Sequence, residues 1–175
     1  MEAARTFGFV NSFNITGGEP TLHPQFDELV PLLKSFRCNR QTLETNGYGF
    51  QRWPPELFLN FDLIAVTRYG PGYAVPESPS NEKDIEFIRN FLTQHHLAHR
   101  LAVGTHLHRP REQRVGNTCV RARGGTVAYW NKLLFSCCSA QGMEGAVGIP
   151  LTANWRAEIM QVDLPCDTCV FSPTF

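Results

Sequence analysis

Apolar and polar residues alternate at the start of the chain, and the pattern then changes to a longer period. Phe9, Phe13 and Ile15 lie on one face of an extended strand, because they are separated by even numbers of positions. From Pro24 to Phe36 the apolar residues recur every three or four positions, which predicts an amphipathic helix. Pro31 falls inside that pattern and should kink or split the helix.

Strand-like and helix-like segments continue to alternate until about residue 110. Further strands are predicted over 40–49, 62–70 and 99–108, a short helix over 54–61, and a longer helix over 78–96 that Asn81 can cap. The continuous apolar run in 62–70 is typical of parallel strands that are buried on both faces. Because four strands are too few to close a barrel, we expect an α/β fold with a partial, barrel-like (β/α) parallel sheet over residues 1–110.

The remainder of the chain, residues 111–175, has a different composition. Short apolar segments flank Asn131 and Lys132 and predict a β-hairpin, and a further short strand or helix precedes a Cys-x-x-Cys sequence. Five of the six cysteines lie here, namely Cys119, Cys137, Cys138, Cys166 and Cys169. We therefore expect a second, small and cysteine-rich β-hairpin domain over 111–175.

Charge and hydropathy exclude several classes of protein. Lysine plus arginine and aspartate plus glutamate number 16 each, so the sequence lacks the basic excess of proteins that bind nucleic acids or membrane surfaces. No apolar run approaches the roughly 20 residues that span a bilayer. The first residues lack the basic region and apolar core of a secretory signal, so we expect a cytoplasmic protein whose clustered cysteines bind metal.

The stretch ITGGEPTLHPQFDELV, followed by LETNG and LIAVTRYG, resembles the radical S-adenosylmethionine (radical SAM) enzymes. In that family a GGE-type motif ends the second strand of a partial barrel and holds the methionyl amino group of the cofactor. A carboxylate suits an ammonium group, since charge-assisted hydrogen bonds are strong polar contacts. The simpler alternative is a strand-to-helix turn with a solvated Glu19. The resemblance assigns cofactor binding to Gly17, Gly18, Glu19, Pro20, Asn46, Thr67 and Arg68.

The stretch AVTRYG, which contains Thr67 and Arg68, departs from the family pattern. Thr67 stands where many relatives carry serine or aspartate, and its hydroxyl would replace that of serine. Arg68 would pair with the carboxylate of the cofactor, unless it points outward as a surface charge.

The tail resembles the auxiliary-cluster extension of the same family, which is called Twitch in its short form and SPASM in its long form. The short form fits better, because no cysteine follows Cys169. Four thiolates close a 4Fe-4S cluster, and zinc is the alternative metal for the same ligands. Neighbouring side chains of an extended segment diverge, which favours Cys137 over Cys138. The ligands implied are Cys119, Cys137, Cys166 and Cys169.

One family signature is missing: the sequence contains no CxxxCxxC, the motif that holds the cluster responsible for cofactor cleavage. By this comparison the chain begins just before the family's second strand, and we expect the first strand and its loop to be absent. Complete relatives generate a 5′-deoxyadenosyl radical that abstracts hydrogen from a substrate, often a peptide. The resemblance thus implies a peptide or small-molecule substrate and a flavodoxin- or ferredoxin-type electron donor.

Whether the chain is an enzyme is left open by these observations. We expect a radical SAM-like protein or fragment that is inactive as this chain alone. The alternative from another class is a non-catalytic peptide-binding or scaffold module, with a degenerate cofactor cleft and a tail held together by zinc or an iron–sulfur cluster.

Overall fold

The computed structural model describes residues 2–16, 18–73, 77–104, 114–115, 118–119, 128–130, 132–135 and 146–162. The chain divides into two compact units, Met1–Leu107 and His108–Phe175, close to the change in composition near residue 110. Among the described residues, none of the helices has the length and apolar character needed to cross a membrane.

The first unit is built on a four-stranded parallel sheet, so the predicted α/β class is confirmed. The strands lie side by side in chain order: β1 (Phe9–Ile15), β2 (Arg37–Thr45), β3 (Leu63–Thr67) and β4 (Leu101–Gly104). The α-helices of this unit are α1 (Glu2–Phe7), α2 (Phe26–Leu33) and α3 (Glu82–Gln94). Short 3₁₀ segments lie at Pro20–Leu22, Phe50–Arg52, Pro55–Asn60 and Ala98–Arg100. Helix α1 was not predicted from the sequence.

Helix α2 is shorter than its apolar pattern predicted, and it contains Pro31 without being split. The expected split is therefore wrong. Proline has no N–H to continue the helical bonding pattern, and here it lies only two residues before the end of the helix. The chain leaves the helix through tighter bonds, in which Lys34 N–H donates to Pro31 O (3.3 Å) and Ser35 N–H to Leu32 O (3.0 Å).

The core of the first unit lies on one face of the sheet, against α2, α3 and the 3₁₀ segments. Its buried residues are Phe26, Val30, Leu33, Leu43, Phe50, Phe58, Phe61, Ile64, Val66, Ile85, Ile88, Phe91 and Leu92. In β3 only Ile64 and Val66 are fully buried, and the alternate residues are partly exposed. The expectation that β3 is buried on both faces is therefore wrong.

The opposite face of the sheet carries mostly polar or small residues. From the strand register these are Ser12, Asn14, Arg40, Thr42, Glu44, Ala65, Thr67, Ala102 and Gly104, and the same face also carries Val10, Cys38 and Leu63. Asn14 Nδ2 donates to Glu44 Oε1 (3.1 Å) across β1 and β2. Phe9, which shares the core side of β1 with Phe13, is nevertheless 52% exposed.

Helix α3 ends in a Schellman motif. His96 adopts the left-handed conformation (φ 58°), and its N–H donates to Thr93 O (3.0 Å). The next N–H, of Leu97, donates to Leu92 O (2.7 Å), which satisfies the carbonyls that a helix end leaves unpaired. Histidine occupies the position that glycine usually holds in this motif.

The described residues of the second unit form short strands and one short helix. Its elements are β5 (Arg114–Val115), β6 (Thr118–Cys119), β7 (Ala128–Trp130), β8 (Leu133–Phe135), β9 (Ile149–Pro150) and α4 (Trp155–Ile159). Strands β7 and β8 pair antiparallel on either side of residues 131–132, as the sequence predicted, and β9 pairs with β8. Lys132, in the connection between these strands, adopts the left-handed conformation (φ 65°).

Candidate functional site

The predicted cofactor residues lie at one edge of the sheet. Because the strands are parallel, their carboxyl ends lie together, and this is where open α/β sheets bind ligands. We call the last residues of β1, β2 and β3, the segments that follow them and Asn81 at the start of α3 the carboxyl edge. Gly18, Glu19, Pro20, Asn46, Thr67 and Arg68 all lie in it, whereas Gly17 is outside the described residues.

Gly18 leaves the main chain accessible after β1. Its φ is +56°, in the left-handed region that glycine tolerates best, and among the described residues, its chain neighbours apart, no atom lies within 4 Å of the place where a Cβ would be. The next residue, Glu19, caps the 3₁₀ segment Pro20–Leu22. Its Oε1 accepts hydrogen bonds from Thr21 N (3.1 Å) and Thr21 Oγ1 (2.6 Å).

The carboxylate of Glu19 also joins the ends of two strands. Thr45 Oγ1, in the last residue of β2, donates to Glu19 Oε1 (2.6 Å), and Asn46 N donates to Glu19 Oε2 (2.5 Å). The half-buried carboxylate therefore accepts four hydrogen bonds from protein groups. A turn with a simply solvated Glu19, the alternative considered from the sequence, is not what the structure contains.

Asn81 connects the ends of β2 and β3. Its side chain is completely buried, and Nδ2 donates to Asn46 O (2.7 Å) and Thr67 O (2.8 Å). Its Oδ1 accepts from Tyr69 N (2.7 Å). Asn81 is the N-cap residue of α3, as predicted, and its carbonyl oxygen accepts from Ile85 N (3.0 Å), but its side chain makes no capping hydrogen bond to the helix. The sequence pattern missed this residue as part of the site, since its partners lie 12 to 35 positions away.

Arg68 is turned toward the start of α3. Its Nε lies 2.6 Å from Glu82 Oε1, and its guanidinium lies over the ring of Tyr73 at 5.1 Å from the ring centre. Among the described residues the Nε–H has no acceptor with hydrogen-bond geometry, so its contact with Glu82 is an ion pair. Glu82, in the first turn of α3, is thus a partner of Arg68. An anionic ligand at this edge would compete with Glu82 for the guanidinium.

Tyr48 and Asp84 lie beside the turn that follows β2. Burial raises the pKa of Tyr48, and the nearby Asp84 and Tyr69 raise it further. Its hydroxyl therefore stays protonated at neutral pH and donates to Pro79 O (2.7 Å). Burial also raises the pKa of Asp84. The Cβ of Asp84 lies 3.1 Å from the place that a Cβ would occupy if residue 47 were not glycine. Glycine at position 47 allows this close packing.

The floor of the carboxyl edge is closely packed around Thr21. Thr21 is completely buried, and its carbonyl oxygen accepts from Trp53 Nε1 (2.6 Å). A Cβ on Gly49 would lie 2.5 Å from that same oxygen, so only glycine fits at position 49. The sequence analysis did not single out Gly49. Its position after the Asn46–Gly47 turn gave no sign of this contact.

The predicted metal ligands of the tail fall almost entirely outside the described residues. Only the backbone of Cys119 is described, at the end of β6 opposite Arg114. Cys137, Cys166 and Cys169 lie outside, as does the alternative ligand Cys138. Within the described part of the chain, no group of three His, Cys, Asp or Glu side chains is placed to hold a metal. Cys38 is a half-buried free thiol.

Comparison with known proteins adds no identification. No family model matches the chain, and no curated protein matches it significantly. A function must therefore be supported by the residues of the carboxyl edge and by the sequence motifs.

Proposed function

We propose that the carboxyl edge binds the methionyl end of S-adenosylmethionine and that the chain is a radical SAM-like protein or part of one. The supporting observation is that Glu19, which follows Gly18, accepts a hydrogen bond from Asn46 N, and that Thr67 and Arg68 lie at the end of the next strand of the same edge. These are the residues that the GGEP, TNG and VTRYG sequences assign to the cofactor. They lie where α/β sheets bind ligands.

The residues fit the amino group of such a ligand. The open space at Gly18 lets a ligand approach the main chain closely. Glu19 Oε2 accepts one hydrogen bond from the described residues, that of Asn46 N, and a carboxylate oxygen has a further lone pair for an ammonium donor. At the other end of the site, the cofactor's carboxylate would take the place of Glu82 beside Arg68, because guanidinium groups pair well with carboxylates.

The role proposed for this chain is binding and orientation. S-adenosylmethionine supplies radical chemistry in complete relatives, where a reducible iron–sulfur cluster holds it. The sequence has no CxxxCxxC to build that cluster, so we propose that this chain alone does not cleave the cofactor. The polar face of the sheet, with Ser12, Asn14 and Glu44, would line the interior of a partial barrel.

The tail is proposed to bind a 4Fe-4S cluster through Cys119, Cys137, Cys166 and Cys169, with zinc as the alternative. Metal and sulfide analysis of anaerobically purified protein tests this. Cys166→Ala should remove most of the bound metal, whereas Cys38→Ala should leave it unchanged, since Cys38 lies in β2 of the first unit. Equal metal content in the two variants contradicts the ligand assignment.

A second candidate function is binding without cofactor, as a peptide-binding or scaffold module. One observation favours it: the groups that would hold the cofactor already have protein partners. Glu19 accepts four hydrogen bonds and Arg68 is paired with Glu82. In this alternative the carboxyl edge is a structural connection between strands.

Calorimetric titration with S-adenosylmethionine distinguishes the two functions. The wild-type chain should show saturable binding that Gly18→Ala weakens by roughly tenfold or more, about 1.4 kcal/mol, because the new methyl group fills the ligand's space. Gly72→Ala is the matched control, since Gly72 also has a positive φ (+83°) and no described residue other than its chain neighbours within 4 Å of its Cβ position. Absence of saturable binding by the wild type rejects the cofactor proposal and favours the second candidate.

A further inference from the structure

We infer that Asn46–Gly47 is a deamidation site and that the folded structure prevents the reaction until the carboxyl edge opens locally. In an Asn-Gly pair the glycine nitrogen attacks Cγ of the asparagine side chain, and glycine hinders this attack least because it has no Cβ. A cyclic imide forms, the amide nitrogen leaves as ammonia with the proton lost by the glycine nitrogen, and water then opens the ring to aspartate or isoaspartate. The inference does not depend on the proposed function.

The attacking nitrogen is engaged in the folded protein. Gly47 is buried, and its N–H donates to Thr45 Oγ1 (2.8 Å). Attack on Cγ requires this nitrogen to lose its proton and to turn toward the asparagine side chain. Both changes break the hydrogen bond to Thr45.

The group under attack is also fixed. Asn46 Oδ1 accepts from Tyr48 N (3.0 Å), which fixes the side-chain amide in a turn and must be given up if the amide is to change its orientation. The main chain is held on both sides, since Asn46 N donates to Glu19 Oε2 (2.5 Å) and Asn46 O accepts from Asn81 Nδ2 (2.7 Å). The cyclic imide therefore forms only in molecules in which this edge has opened locally.

The product cannot restore the same contacts. Isoaspartate lengthens the main chain by one carbon between the group bound to Glu19 and the residues beyond it. Both products also add a carboxylate close to that of Glu19, and like charges at short range repel each other. Once Asn46 is deamidated, the carboxyl edge therefore cannot return to its original closed structure.

Peptide mapping by mass spectrometry, with isoaspartate detection, measures the reaction during incubation in mildly alkaline buffer. Thr45→Val should accelerate deamidation at Asn46 by roughly tenfold, which corresponds to about 1.4 kcal/mol in the opening equilibrium. Thr42→Val is the matched control on the same strand. Thr42 is also buried, but its Oγ1 has no hydrogen-bond partner within the described structure, so the rate should stay at the wild-type value.

Equal rates for wild type and Thr45→Val, or equal acceleration in both variants, overturn the inference. A second measurement needs no variant and covers the case in which Thr45→Val does not fold. The wild-type chain should deamidate at Asn46 at least roughly tenfold more slowly in native buffer than in denaturing urea. Equal rates in the two solvents also overturn the inference.

Discussion

Glu19 Oε2 lies 2.5 Å from the main-chain nitrogen of Asn46, although 27 positions separate the two residues. The same carboxylate accepts hydrogen bonds from Thr21 and Thr45 through its other oxygen. One side chain thus connects the end of β1 to the end of β2 at the edge where we propose that a ligand binds. The hydrogen bonds between the strand ends affect the stability of the fold, whereas the proposed contact with the ligand affects its binding affinity. The two roles of Glu19 can therefore be measured separately.

Glu19→Gln should lower the free energy of unfolding by about 2 kcal/mol. The amide can accept from the threonine hydroxyls, but its NH₂ group then faces the N–H of Asn46, and two donors cannot bond each other. Urea denaturation measures the loss. Glu44→Gln is the control, because Glu44 accepts an exposed hydrogen bond from Asn14 (3.1 Å), and we expect a loss of about 0.5 kcal/mol or less. Equal losses would show that Glu19 has no special structural role.

Asn81→Ala should destabilise the first unit by about 2–4 kcal/mol, since it removes the partner of three backbone groups at once. These are the carbonyls of Asn46 and Thr67 and the N–H of Tyr69. The loop between β3 and α3 should also be cleaved faster by proteases, because Asn81 holds its two ends together.

Asn60→Ala is the control for the Asn81 variant. Asn60 Nδ2 donates to two nearby carbonyls, those of Glu56 (3.3 Å) and Leu57 (2.8 Å), so we expect a smaller loss of about 1 kcal/mol. If the two alanine variants unfold at the same urea concentration and are cleaved at the same rate, Asn81 is not the connecting residue described above.

His96→Gly should raise the free energy of unfolding by about 0.5–1 kcal/mol. A residue with a Cβ is strained by about 1–2 kcal/mol in the left-handed conformation, whereas glycine is not. Part of this gain is lost to the greater freedom of glycine in the unfolded chain. His95→Gly, one position earlier at φ −94°, relieves no strain and removes the ring contact with Phe91 (4.6 Å), so it should destabilise. Thermal melting of both variants gives the comparison, and a lower melting temperature for His96→Gly contradicts it.

Asp84 should make stability fall as the pH rises above its ordinary pKa of 3.8. Burial raises its pKa in the folded state, so the unfolded chain releases the proton first and is favoured across the window between the two values. The penalty is fully present at neutral pH. The free energy of unfolding of Asp84→Asn should therefore fall less than that of the wild type between acidic and neutral pH. Urea denaturation at several pH values measures this difference. Asp27→Asn controls for removing a charge from a helix start, and identical profiles for Asp84→Asn and wild type contradict the prediction.

The parallel sheet and the position of its carboxyl edge could be predicted from the sequence because they follow from local patterns. The period-two pattern of Phe9, Phe13 and Ile15 and the apolar run around Ile64 place the strands to within a few residues. The glycines after β1 and the Asn46–Gly47 pair after β2 mark where those strands end.

The contacts within the edge could not be predicted, because they join residues that are distant in sequence. Asn81 is a residue type that favours the start of a helix and lies at that position. Its side chain nevertheless donates to the carbonyl oxygen of Asn46, 35 positions away. Whether β3 is buried on one face or on both depends on which helices pack against it. An apolar run such as Leu63 to Val66 is compatible with either arrangement, so the sequence alone does not distinguish them. The ligands of the tail metal depend on segments outside the described residues, so that assignment stays a prediction.

Amide NMR spectra recorded during a titration with S-adenosylmethionine test the proposed binding edge most directly. Saturable shifts should be concentrated at Gly18, Thr21, Asn46, Gly47 and Arg68, while amides at the opposite ends of the strands, such as those of Arg37 and Leu101, stay unchanged. Titration with methionine alone should shift part of the same set, since the proposed contacts are to the methionyl end. Spectra that do not change with the cofactor, or changes confined to the amino ends of the strands, would contradict the proposal.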